Sequence, residues 1–170
     1  MKFPFHYFFI IAILGIILLY SYYYYAINNS NVLKLWGKIK NNLLNIYYLS
    51  MIISAVSFLF LLTYLGISNN LTKDEINKLF IGIIFIIIFS IFWMPFSLQY
   101  LKNRDFYTKF LIYLVLFIVS LSSFYVLITL NNIIDNKNKI FKNVAFYGMI
   151  YFFIHVFFFD FILWTHNFFY

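Results

Sequence analysis

Long apolar runs alternate along this chain with short polar clusters, and the alternation recurs five times. The runs cover residues 3–27, 46–67, 79–99, 110–130 and 144–164, and only the last holds an Asp, Glu, Lys or Arg, namely Asp160. Each is close to the roughly 20 residues that an α-helix needs to cross the hydrocarbon core of a bilayer. Backbone N–H and C=O groups in hydrocarbon must bond within their own segment, so runs of this length predict helices; the two-residue alternation of a barrel strand is absent. The expected fold is therefore all-α: a polytopic transmembrane helical bundle of five spans forming a single membrane domain.

Local features refine the expected elements. The first run passes into the aromatic cluster Tyr20 to Tyr25 and has no small-residue cleavage site, so it reads as a retained span. Between the first two runs, Val32, Leu35, Trp36, Ile39 and Leu43 fall on one helical face with Lys34, Lys38 and Asn41 opposite. That pattern predicts a short interfacial amphipathic helix over residues 32–43. Pro95 lacks an N–H and is expected to kink or end the third span near its exit.

The chain also resembles itself. Displaced by 66 residues without a gap, Ile46–Phe92 lies over Ile112–Phe158 with 17 identities in 47 positions, among them Ser54/Ser120, Ser57/Ser123, Asn70/Asn136, Lys73/Lys139 and Gly82/Gly148. The pattern predicts that spans two and three form a hairpin duplicated, in parallel orientation, as spans four and five. Ser50, Ser54 and Ser57 form a stripe on one helix, and Ser120 and Ser123 sit on its counterpart. Lipid supplies no hydrophobic force between helices, so such small residues are the expected helix-packing surface.

Composition supports the bilayer. Hydrophobic residues make up 65% of the 170, against the roughly 45 to 50% of soluble domains, and charged residues only 10%. The net charge of +7 would point to nucleic acid in a soluble protein, but here the lysines flank apolar runs, where anionic head groups are the nearer partner. Lys and Arg are balanced between the two sides, six against six, so the positive-inside rule is neutral. The basic 32–43 segment favours a cytosolic placement of its own loop, and with it an external N-terminus. No cysteine is present, which excludes disulfides and thiolate chemistry.

Candidate chemistry is sparse. A charge at the bilayer centre costs about 2.5 to 3.5 kcal/mol on insertion scales, so polar residues within spans mark functional positions. His155 and Asp160, both in the fifth run, are the candidates. Five residues on an α-helix turn through about 140°, which places these two on different faces and predicts no dyad. His155 and His166 share a face but stand about 16 Å apart along the axis, too far for one metal ion. No cofactor motif, metal-ligand spacing, phosphate loop or catalytic set is present. The expected function is thus that of a non-catalytic membrane component or subunit. The alternatives are a small transporter or channel using His155 and Asp160, and a membrane-embedded lipid or sterol enzyme. The expected partners are membrane lipids and other membrane helices, from another protein or a second copy of this chain.

Overall fold

The computed structural model describes residues 1–169, except for the side chain of Asn41, one of the residues assigned above to the polar face of the linker. Helix dominates and strands are absent among the described residues. α1 (Phe5–Asn28) is followed by a 3-10 turn (Val32–Trp36), then α2 (Asn41–Ile67), α3 (Lys73–Asn103) and α4 (Phe106–Asn132). α5 (Lys139–Ile154) continues without a break through a π-helical stretch (His155–Trp164) into a last turn, α6 (Thr165–Phe169). Five helices, the fifth running from Lys139 to Phe169, are long and apolar enough to cross a membrane.

α3 begins six residues before the apolar run, and local chemistry explains it. Thr72 accepts from Glu75 N–H through its hydroxyl while Glu75 accepts from Thr72 N–H, a capping box that starts the helix among charged residues. Asp105 is the N-cap of α4, accepting from Thr108 N–H and Thr108 Oγ1, both at 2.7 Å. These bonds hold its carboxyl below the usual carboxylate range against a smaller opposing effect of burial. Pro95 does not end α3, which runs eight residues further to Asn103.

The linker after α1 is not the expected amphipathic helix. The 3-10 turn stops at Trp36 because Gly37 takes φ 55°, a left-handed backbone that breaks the helical path. A Cβ on Gly37 would lie 2.2 Å from the carbonyl oxygen of Asn167, so the C-terminal turn rests directly on this glycine. Leu35 and Ile39 are buried, Trp164 Nε1 donates to Leu35 O at 2.8 Å, and Lys38 N donates to Asn167 O at 3.0 Å. Leu35 and Ile39 of the linker thus turn inward, as a strap across the end of the bundle.

The long helices form an open ring in the order α2, α5, α4, α3. α3 packs most extensively on α4 and α2 on α5, and α4 also meets α5, but the consecutive helices α2 and α3 hardly touch. Glycine makes the two main interfaces close. A Cβ on Gly82 of α3 would lie 2.4 Å from Val126 Cγ2 of α4, and one on Gly148 of α5 would lie 3.3 to 3.4 Å from Ser57 of α2. α1 lies outside the ring against α3, fixed by the stacking of Tyr7 on Phe80 and by Tyr7 to Asn77 and Tyr22 to Ser90 O hydrogen bonds. The terminal ammonium also donates to Leu71 O.

At the end of the bundle where the N-terminus lies, Asp135 fastens the α2–α3 linker to the α4–α5 linker. It is buried and accepts from Ser68 Oγ at 2.8 Å, Asn138 N at 3.1 Å, Asn138 Nδ2 at 3.2 Å and Asn70 Nδ2 at 3.3 Å, with Tyr64 O–H at 3.5 Å. Burial alone would raise its pKa, but the donors outweigh burial and hold the carboxyl below its ordinary value.

Candidate functional site

Where α2 and α3 part, a cavity of about 580 Å³ remains, closed on one side by α1 and floored by α4 and α5. Its two ends differ. Toward the Asp135 end the walls are apolar, with Ile11, Phe58, Leu62, Ile87 and Phe152. Toward the strap the walls include Tyr22, Tyr47, Ser90, Trp93, His155 and Asp160. Ile16, Leu19 and Leu59 line the cavity yet are 67%, 70% and 60% exposed, so it opens sideways between α1 and α2 rather than toward the loops. Gly15 widens this mouth, for a Cβ there would meet nothing within 4 Å.

The polar end is organised by the π-helix. In an α-helix His155 and Asp160 would point apart, and that was the expectation; in a π-helix each turn closes from residue i to i+5, which returns Asp160 to the side of His155. His155 Nε2 lies 3.6 Å from Asp160 Oδ1, a close approach but longer than a hydrogen bond. His155 is also stacked on Phe159, at 5.6 Å between ring centres. At the end of the stretch the Thr165 hydroxyl bonds back to the carbonyls of Phe161 at 2.5 Å and Ile162 at 3.1 Å. π-helical turns are rare and recur at functional sites.

α2, with Tyr151 of α5, supplies the rest of the cluster. Tyr47 O–H donates to Asp160 Oδ1. Tyr151 O–H donates to Ser50 Oγ at 3.0 Å, and Ser50 Oγ lies 2.8 Å from His155 Nδ1. Ser50 Oγ thus sits between the Tyr151 hydroxyl and one ring nitrogen of His155, while the other ring nitrogen, Nε2, faces Asp160, which Tyr47 reaches from α2. Trp93 Nε1 is the one buried side-chain nitrogen or oxygen without a partner among the described residues.

The serines divide among three environments. Ser50 belongs to the His155 cluster rather than to a bare packing stripe, and Ser54 lines the cavity. Ser57, Ser120 and Ser123 are buried between helices and donate to their own helix carbonyls, at Ile53, Leu116 and Ser120. No group of three or more metal-ligating side chains is found among the described residues.

Comparison with family models, curated proteins and solved structures finds no match to this chain. Tyr47, Tyr151 and Trp93 were not singled out in the sequence: tyrosine and tryptophan are abundant there, and nothing in their spacing distinguishes those that meet His155 and Asp160 from those on the surface.

Proposed function

We propose that this chain is a five-span integral membrane protein that holds a lipid-derived amphiphile in the cavity between α1, α2 and α3. The observation that carries this is the combination of a sideways mouth with an internal polar end. An apolar tail entering from the bilayer meets the walls around Phe58 and Leu62, while its head reaches Tyr47, Asp160 and Trp93. Exposed apolar side chains along the middle of the helices, such as Ile17 on α1 and Ile52 on α2, suit acyl chains as solvent and would be costly in water.

The role is binding rather than turnover. Ser50, His155 and Asp160 are the residue types of a nucleophilic triad, but Ser50 does not line the cavity and its oxygen already accepts from Tyr151. The duplicated hairpin fits this architecture. Exchanging α2 with α4 and α3 with α5 turns the α2–α5 interface into the α4–α3 interface, and the related glycines Gly148 and Gly82 each mark the close approach in one of them. The site breaks the symmetry, since His155 corresponds to Phe89 and Asp160 to Met94.

A second reading, proton-coupled transport, is favoured by the approach of His155 to Asp160. The two are separated by single cysteines at Gly15, Ser54 and the exposed Leu33 in open membrane fragments. The binding role expects Leu33→Cys to react with a water-soluble, membrane-impermeant maleimide, and Gly15→Cys and Ser54→Cys only with one dissolved in the lipid. Labelling of all three by the impermeant reagent would show a wet cavity and favour transport, which Asp160→Asn should then abolish in proteoliposome flux.

A further inference from the structure

We infer that the amphiphile is a neutral lipid alcohol, a single hydroxyl head on an apolar tail, with the head held between Trp93 and Asp160. This rests on the binding role just proposed and adds the chemistry of the head group. Two unfulfilled groups at the polar end define it. Trp93 Nε1–H is a buried donor without an acceptor, and a buried donor left unpaired is costly. Asp160 is an acceptor with capacity to spare: Tyr47 bonds Oδ1, His155 Nε2 stays at 3.6 Å, and no described residue bonds Oδ2. About a quarter of the Asp160 side chain remains accessible, at 24%, and Asp160 lines the cavity.

Both residues line the cavity. Trp164, four residues beyond Asp160 on the π-helix, is in edge-to-face contact with Trp93 at 5.2 Å between ring centres, and Tyr22 touches Trp93 from α1 at 5.8 Å. A head seated there must accept from an indole N–H and donate to a carboxyl group. A hydroxyl does both with one oxygen. An ammonium has only donors and leaves Trp93 unpaired; a carboxylate has only acceptors and brings no donor to Asp160.

The tail is bounded by the apolar stretch. From Tyr22 back to Ile11 on α1, and from Met51 to Leu62 on α2, the walls extend about 16 Å at 1.5 Å per residue, room for an extended chain of roughly a dozen methylenes. Entry needs no passage through water, because the mouth beside Ile16 and Leu59 faces outward along the helices.

The test is photocrosslinking of the full chain in nanodiscs with a diazirine-bearing tetradecanol, competed by unlabelled tetradecanol, its methyl ether, tetradecanoate, tetradecylamine and cholesterol. The crosslink is expected on peptides of α1 to α3 and on residues 152–160. Tetradecanol should compete at least tenfold better than the acid or the amine, and better than the ether, which accepts but does not donate. Trp93→Phe should weaken alcohol and ether alike by about three- to tenfold, the worth of one neutral hydrogen bond, while keeping their ratio. Cholesterol outcompeting tetradecanol would keep the hydroxyl head and assign the tail to a ring system. Preference for the amine or the acid, or indifference of a folded Trp93→Phe protein, would overturn the head-group assignment while leaving the binding role intact. Gly15→Phe, whose ring enters open space, should block the crosslink without touching the polar end. Absence of any competed crosslink in the cavity would sink the binding role itself.

Discussion

Gly82→Leu is expected to destabilise the bundle by about 3 kcal/mol, whereas Gly15→Leu should be neutral or stabilise it by up to about 1 kcal/mol. The two glycines lie in apolar helices and differ only in what surrounds them. A Cβ at Gly82 falls 2.4 Å from Val126 Cγ2 and 3.4 Å from Tyr125 Cδ1, and Val126 is fully buried with a stiff, β-branched side chain. It cannot turn away, so α3 and α4 must separate along their tightest contact. At Gly15 nothing lies within 4 Å of the new carbon, and leucine gains helix propensity over glycine. Thermal unfolding of both variants in the same nanodiscs checks the contrast. Equal midpoints would mean that the α3–α4 interface is looser than its geometry states.

Asp135→Ala is expected to cost about 3 kcal/mol or more, because one deletion strands several partners at once. Ser68, Asn70 and Asn138 all donate to this carboxylate, and Asp135 itself is 4% exposed. The linkers it joins would part, and protease cleavage between residues 68 and 72 or 133 and 138 should accelerate accordingly. The pH dependence has a definite sign. Because the native carboxyl lies below its ordinary value, its contribution is full at pH above the usual carboxylate range and is lost as the pH falls through the native value. Wild-type stability should therefore drop at acid pH with a component missing from Asp135→Ala; parallel acid profiles for the two proteins would show that Asp135 is not the fastening group.

The helical class was legible because hydropathy over 20 residues is a strong, local signal, and Asp160 stood out as the only formal charge inside an apolar run. Helix starts were less so. Thr72-Lys73-Asp74-Glu75 is a capping-box pattern, and reading the charges as the edge of a span hid the fact that a helix extends past the apolar core. The inward turn of the strap depends on Gly37 meeting Asn167, a contact 130 residues apart in sequence that no periodicity encodes. The His155–Asp160 approach is hidden for a sharper reason: the angle between the two residues depends on helical pitch, and His155-Val156-Phe157-Phe158-Phe159-Asp160 carries no recognisable mark of a π turn. The cavity was the least legible of all. It exists because α2 and α3 fail to touch, and a missing contact leaves no pattern along either helix.

The most direct measurement is native mass spectrometry of the chain released from its membrane, alongside Gly15→Phe. The wild-type protein should carry one lipid-sized adduct in a 1:1 ratio, surviving activation that strips detergent, while the folded variant flies bare. A bare wild-type protein under the mildest release, or the same adduct undiminished on Gly15→Phe, would contradict a ligand held between α1, α2 and α3.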